Sequence, residues 1–166
     1  MSKKLTITLY MSELIYDFQN KVFLAGRSKR ANGLDDEAAS VIQASDEEED
    51  SNQVVRSIQS AYGQLLVEVS EGLHTPTTGT SSNELLSKNS DIVINLEMPS
   101  NFAMGIKDAV SNSMHDYIIY KAISEWCLIT NKPDEKDYSD MAVLAMNNLH
   151  KAFNRRERPT RTNIGE

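Results

Sequence analysis

Two short segments of this chain alternate apolar and polar residues, and they lie far apart in the sequence. They are LTITLY (residues 5–10) and DIVINLEM (residues 91–98). Alternation with a period of two, rich in β-branched residues, predicts two short strands. Pro99 ends the second strand because proline cannot donate a hydrogen bond to a sheet. A lone strand leaves backbone groups unpaired, so the strands pair either with each other or across a subunit boundary.

The rest of the chain follows helical spacing. Apolar residues three and four positions apart predict amphipathic helices over residues 11–30, 51–73, 99–130 and 134–154, with a short additional helix in 35–45. The longest of them is apolar on more than one face near its centre, which predicts burial against several neighbours. We expect four aromatic residues to lie in the core: Tyr117, Tyr120, Trp126 and Tyr138.

Capping residues set the expected helix boundaries. Ser12 and Ser51 are predicted N-caps, because a serine hydroxyl can accept a hydrogen bond from a free N–H of the first turn. Gly72 is predicted to stop the second helix, and Pro133 is well placed to open the last one.

These elements predict a mainly α fold, a bundle of about four helices with one or two short β-strands and an extended terminal arm. Residues 1–154 are expected to form a single helical domain, and residues 155–166 a basic C-terminal docking arm. Two segments of the domain stand apart, the acidic segment 35–50 and the Thr/Ser-rich segment 74–90. The composition of the second predicts a mobile loop.

Charge is distributed unevenly along the 166 residues. The formal net charge is −7, which opposes a DNA-binding surface because neutralisation of phosphates dominates affinity for DNA. No lysine or arginine interrupts the carboxylates between residues 35 and 50, a pattern typical of a solvated face or a flexible segment. The densest part of this run consists of Asp46, Glu47, Glu48, Glu49 and Asp50.

The end of the chain reverses this charge. Four arginines surround Pro159, which favours an extended arm over a continued helix: Arg155, Arg156, Arg158 and Arg161. Such an arm fits an acidic or carbonyl-rich groove on a partner, because arginine forms paired hydrogen bonds with oxygen atoms. It would also fit a nucleic acid, or form a frayed, solubilising terminus.

Residue patterns for catalysis are missing from the sequence. Phosphate-binding, dinucleotide-binding, zinc-protease and nucleophile-elbow motifs do not occur, and His74, His115 and His150 are scattered. The single cysteine, Cys127, excludes an internal disulfide and is expected to be a small buried apolar residue. We therefore expect no enzyme activity, no cofactor and no metal. No apolar run approaches the ~18 residues of a membrane span, so we expect no membrane partner.

Residues 117–161 resemble a known family. YIIYKAISEW, a Pro-Asp turn, a second helix and the arginine-rich end around Arg156, Arg158, Pro159 and Arg161 are similar to small helical head-to-tail joining proteins of tailed bacteriophages, especially crAss-like and related gut phages. The N-terminal LTITLYMSELIYDFQNKVFLAGRSKR also resembles the start of such proteins. The resemblance covers residues 3–30 and 98–161.

The resemblance implies a structural protein of the virion neck, made in the cytoplasm of a bacterial host. Copies would form a homo-oligomeric ring, typically a dodecamer, between the portal protein and a downstream neck or tail protein. Packaged DNA would pass through the ring without sequence-specific binding and would be retained there. Residues 46–50 would line the channel or form an acidic face between subunits.

Two alternatives remain open. The chain could be a helical regulatory or nucleic-acid-binding protein that uses the arginine arm, and salt-dependent DNA retention would favour this interpretation. It could also be an enzyme whose site is assembled between subunits.

Overall fold

The computed structural model describes residues 1–159, so residues 160–166 of the predicted arm, which include Arg161, lie outside the described residues. The described part contains five α-helices and one two-stranded sheet, which confirms the predicted mainly α fold with short strands. Single 3-10 turns at Ser70–Gly72 and Met104–Ile106 separate some of the elements. The elements are β1 (Lys3–Tyr10), α1 (Met11–Ala31), α2 (Asp36–Ile42), α3 (Glu48–Glu68), β2 (Asp91–Met98), α4 (Lys107–Thr130) and α5 (Lys132–Phe153).

The two strands pair with each other in an antiparallel ribbon, which decides between the two possibilities that the sequence left open. Ile7 lies opposite Ile94, and the register runs without a bulge from Lys3 to Tyr10. Alternate residues of both strands are buried, as the period of two requires. The outer face is mostly polar, with Tyr10 and Val93 as its exposed apolar side chains. On this face the Thr6 hydroxyl donates to Oδ1 of Asn95 over 3.0 Å.

Helix α4 is the central element of the core. Its apolar residues are buried on several sides, against α5, α3 and the first two helices, which confirms the prediction from its wide apolar surface. The indole Nε1 of Trp126 donates to the carbonyl oxygen of Ile42 over 2.9 Å. The Phe18 ring packs against the Trp126 ring at 6.0 Å in an edge-on arrangement. Trp126 therefore joins α4 to both α1 and the end of α2.

The predicted aromatic core is half confirmed. Tyr117 and Trp126 are only 8% and 4% exposed. Tyr120 and Tyr138 are partly buried and pack against the outside of the core cluster. A partly buried position is reasonable for tyrosine because its hydroxyl needs a polar partner or water. Tyr120 instead offers its ring to the ammonium group of Lys21, 5.5 Å from the ring centre.

Several predicted helix boundaries were wrong. Helix α1 begins at Met11 directly after β1, and its N-cap residue makes no side-chain hydrogen bond, so Ser12 lies inside the helix. Ser51 is likewise internal and buried, because α3 begins at Glu48. The same helix ends at Glu68, so Gly72 closes a separate 3-10 turn. Residues 99–103 form a turn, and the helix predicted from residue 99 begins at Lys107.

Helix α2 crosses α1 very closely at Gly26. A Cβ atom on Gly26 would lie 2.7 Å from Cγ of Gln43 and 2.9 Å from the carbonyl oxygen of Ala39. Both distances are shorter than side chains normally allow, so only glycine permits this approach.

The segment 74–90 has no regular secondary structure, and its second half is held against α3. Arg56 donates to the carbonyl oxygen of Asn83 over 2.9 Å, and the Gln59 amide donates to the carbonyl oxygen of Glu84 over 3.0 Å. The Leu86 side chain packs against the core. Residues 75–82 are exposed.

Candidate interaction surface

The arm begins with a short stretch that is fixed to its own chain. Helix α5 ends at Phe153, and the next residues run antiparallel to residues 101–103. The Ala103 N–H donates to the carbonyl oxygen of Arg155 over 3.2 Å, and the Glu157 N–H donates to that of Asn101 over 2.8 Å. The arm is therefore a defined extension of the fold up to Glu157.

Lys3 holds this stretch against the start of the ribbon. Its ammonium group donates to the carbonyl oxygen of Phe102 over 2.8 Å and forms an ion pair with Glu157. Phe102 itself is fully buried, so the turn that receives the arm is anchored in the core. The N-terminus of β1 and the C-terminus of the helical domain thus meet at one end of the molecule.

The three arginines of the arm that the structure describes are exposed to solvent. Arg155, Arg156 and Arg158 are all exposed, and none of them forms an ion pair with a carboxylate of residues 1–159. Arg156 is directed by its own backbone, because its guanidinium donates to the carbonyl oxygen of Phe153 over 2.6 Å. These three positive charges are therefore exposed and not neutralised by a carboxylate of residues 1–159.

An open cleft lies beside the base of the arm, between the ends of α3 and α5. Its walls are Val67, Glu68, Glu71, His150 and Asn154, with Phe153 below them. Glu71 also shares a neighbouring cleft with Arg156. The C-terminal ends of α3 and α5 and the base of the arm therefore occupy the same end of the molecule.

The densest acidic run lies at the other end of α3. Glu48, Glu49 and Asp50 form its first turn, where carboxylates interact favourably with the partial positive charge of the helix. Asp50 accepts hydrogen bonds from the backbone N–H and the hydroxyl of Ser45, over 2.9 and 2.7 Å. Helix α3 has 21 residues, which corresponds to about 30 Å. We call residues 46–50 the acidic turn.

The acidic turn combines ordered and exposed carboxylates. Asp46 accepts a hydrogen bond from the Gln19 amide over 3.2 Å, and Asp50 is partly buried. Glu47, Glu48 and Glu49 are exposed and form no ion pair within residues 1–159. The acidic turn thus forms the beginning of α3 and exposes three carboxylates that have no ion-pair partner among residues 1–159.

Two apolar side chains are exposed at the end of α4 that lies on the side of the acidic turn. Helix α4 runs antiparallel to α3, because Glu125 accepts a hydrogen bond from Ser60 over 2.9 Å while Tyr117, two turns earlier, lines a cleft with Glu68. The C-terminal end of α4 exposes 55% of Leu128 and 69% of Ile129. These two adjacent side chains are among the exposed apolar residues of the described part of the chain.

The three histidines, all in the described part of the chain, have different surroundings. His74 contacts Glu97 over 3.0 Å, His115 contacts Asp17 over 2.7 Å, and His150 lines the cleft beside the arm. Within residues 1–159, no three histidine, cysteine or acidic residues are grouped as a metal site requires. The long-range contact between His115 and Asp17 could not be foreseen from the sequence, because the two residues belong to different helices.

Burial and nearby carboxylates change two pKa values in the core. Burial raises the pKa of the Cys127 thiol to about 11, with the Asp134 carboxylate as the next cause. Burial also raises the pKa of Tyr117, and the charges of Glu68 and Glu125 add to this effect. Both groups stay uncharged near neutral pH. The expected buried character of Cys127 is confirmed, since it is 3% exposed.

The described residues thus define a class, a mainly helical protein with a two-stranded ribbon and an exposed basic arm. Comparison of the chain with protein-family models, with curated proteins and with solved structures gives no match. In the part of the chain that the structure describes, no helix is long and apolar enough to cross a membrane.

Proposed function

We propose that this chain is a structural subunit, not an enzyme, that assembles head-to-tail with copies of itself. The arginines of the arm of one copy bind the acidic turn of the next. The supporting observation is the position of the two charged features at opposite ends of α3, each without an ion-pair partner among residues 1–159. Arginine and carboxylate groups form strong, directional hydrogen bonds when they meet.

A contact of this kind joins two different surfaces and therefore repeats. Such heterologous contacts close into a ring when the rotation between neighbours allows it. Exposed Leu128 and Ile129 lie on the side of the acidic turn and would supply apolar contact area to the same interface. The acidic turn is accordingly assigned to the contact between subunits.

The resemblance to phage joining proteins suggests where this ring belongs. We propose the neck of a tailed-phage virion, where a ring, typically of twelve copies, lies between the portal protein and a downstream neck or tail protein. The net charge of −7 suits a passage for packaged DNA, because an acidic wall repels phosphate and does not retain it by binding.

Reversal of the charge of the arm tests the proposal. The triple change R155E/R156E/R158E is expected to abolish ring-sized assemblies in sedimentation velocity, because it places carboxylates against carboxylates. A matched control, K88E/K107E/K136E, makes the same change of net charge at three exposed lysines outside both features and is expected to assemble normally. Equal behaviour of the two variants would refute the role of the arm.

A second test places the protein in the virion. We expect purified particles to contain this chain and the portal protein in the stoichiometry of two rings stacked on each other. Deletion of residues 155–166 is expected to yield heads that lack tails or lose DNA. Intact, infectious particles from the deletion strain would contradict the proposed location.

The exposed arginines also favour the alternative function, binding of nucleic acid by the arm. This candidate predicts that the wild-type chain is retained by DNA, that retention falls steeply with salt, and that R155E/R156E/R158E abolishes it. Head-to-tail assembly predicts that the arm variant loses self-association whether or not DNA is present.

A further inference from the structure

Strand β1 has a strand partner on one side only. On that side it pairs with β2 over its whole length. The far edge of β2 is partly covered, because Leu73 bridges to Leu96 and the His74 N–H donates to the carbonyl oxygen of Asn95 over 3.0 Å. By contrast, within residues 1–159 no strand other than β2 and no isolated bridge pairs with β1. The outer edge of β1 is therefore open.

This edge lacks the features that normally prevent pairing with another strand. Proteins protect open edges with proline, bulges, very short strands or charges along the edge. Strand β1 has eight residues, or about 26 Å, and its register is free of bulges. Residues 5–9 contain neither proline nor charge, and β-branched Thr6, Ile7 and Thr8 form the centre. The only charges of β1 are Lys3 and Lys4 at its start.

The sequence of the open edge is symmetric. Residues 5–9 are LTITL, which has the same order in both directions around Ile7. If two copies of β1 pair antiparallel about Ile7, Leu5 lies opposite Leu9 of the second copy, and Thr6 lies opposite Thr8 of the second copy. Both cross-strand pairs then match in size and polarity on their respective faces.

The charges at the ends of β1 select the antiparallel orientation. In a pairing centred on Ile7, Lys4 lies opposite Tyr10 of the second copy. Tyr10 is the cross-strand neighbour of Asp91 within its own ribbon, so each lysine meets an aromatic ring beside a carboxylate. A parallel pairing in register would instead place Lys4 opposite Lys4, which is unfavourable.

We propose that the outer edge of β1 is an interface for a second copy of this chain, in which two β1 strands pair antiparallel about Ile7. The product is a four-stranded sheet in the order β2, β1, β1, β2 with twofold symmetry. This contact goes beyond the proposed function, because it uses neither the arm nor the acidic turn. It would join copies from two different head-to-tail assemblies, since neighbours within one ring are not related by a twofold axis. Chains with a reversed arm charge therefore still form it.

Two matched variants test the register. Both are made in the full-length chain that carries R155E/R156E/R158E, so that the twofold contact is measured alone. T6K/T8K places lysine opposite lysine twice in the proposed pairing, whereas T6E/T8K places glutamate opposite lysine twice. Both variants lose the hydrogen bond from Thr6 to Asn95, and both change only exposed side chains, so their ribbons are equally perturbed.

The readout is mass by sedimentation equilibrium, with circular dichroism as the check of folding. We expect the parent chain and T6E/T8K to show twice the mass of one chain, and T6K/T8K to show the mass of one chain. If the parent chain shows the mass of one chain, no second copy pairs with the edge of β1 and the inference fails. This result would leave the proposal of head-to-tail assembly unaffected. A doubled mass that survives T6K/T8K places the twofold contact elsewhere and also overturns the inference.

Discussion

Lys3, the first residue of β1, forms an ion pair with Glu157, the residue that ends the fixed part of the C-terminal arm. The same ammonium group donates to the carbonyl oxygen of Phe102, whose side chain is fully buried. One lysine thus ties the beginning of the chain and the base of the arm to the core. The position of the base of the arm relative to the core depends on this contact.

We predict that Lys3→Ala loosens the base of the arm without unfolding the domain. Trypsin should cleave after Arg155 and Arg156 several times faster than in the wild type, because the exposed backbone is no longer held. The midpoint of unfolding should change little, since exposed ion pairs contribute about 1 kcal/mol or less. Lys4→Ala, at the neighbouring exposed position, is the control. Identical cleavage rates in the two variants would disprove the role of Lys3.

Gly26 and Gly63 should respond in opposite ways to alanine. In a helix, alanine is normally favoured over glycine by about 1 kcal/mol. A Cβ atom at Gly63 meets nothing within 4 Å, so Gly63→Ala should stabilise the protein by about that amount. At Gly26 the new atom meets the backbone of Ala39, so Gly26→Ala should destabilise it. Urea unfolding measures both, and equal signs would contradict the close crossing of α1 and α2.

Trp126→Phe should destabilise the protein by about 2 kcal/mol or more. The change leaves the carbonyl oxygen of Ile42 without its donor, and an unsatisfied buried group costs about 1–3 kcal/mol. The space left by the smaller ring adds to this cost. Urea unfolding measures the loss of stability. Circular dichroism monitors the unfolding, because the variant has no tryptophan and therefore no tryptophan fluorescence. Unchanged stability would show that the hydrogen bond to Ile42 is absent.

Alkaline pH should weaken the fold through Cys127. The raised pKa, about 11 against an ordinary value of 9.0, means that the unfolded chain loses this proton first. Stability should therefore fall as pH rises from about 9 to 11, by up to about 3 kcal/mol. Cys127→Ala should remove this part of the pH dependence.

Iodoacetamide should react slowly with the native thiol at pH 8, and rapid alkylation would contradict its burial.

Local patterns in the sequence predicted the elements of the fold well. The alternation at residues 5–10 and 91–98 and the helical spacing around Trp126 depend on near neighbours, which a sequence shows directly. The prediction that Ser12 caps α1 was wrong because of a contact between residues distant in the sequence. Strand β1 runs into α1 without a loop, and the Met11 N–H donates to the carbonyl oxygen of Ser90 over 3.1 Å.

The candidate surface was only partly visible in the sequence. The arginines and the acidic turn stand out as clusters of like charge. Their placement at opposite ends of α3 depends on how α3 and α5 each pack against α4, and spacing along the chain carries no information about that. The pairing of residues 101–103 with 155–157 and the contact between Lys3 and Glu157 are long-range for the same reason.

Complementary charge reversal tests head-to-tail assembly most directly. One variant carries R155E/R156E/R158E in the arm, and the other carries E47K/E48K/E49K in the acidic turn. In either variant alone, the changed residues face groups of the same charge on the neighbouring copy. In an equimolar mixture, the glutamates of one variant's arm face the lysines of the other variant's acidic turn, and the unchanged arginines face the unchanged glutamates. We predict no ring-sized assembly from either variant and full assembly from the mixture, measured by sedimentation velocity. Ring-sized assemblies from either variant alone, or none from the mixture, would contradict the account.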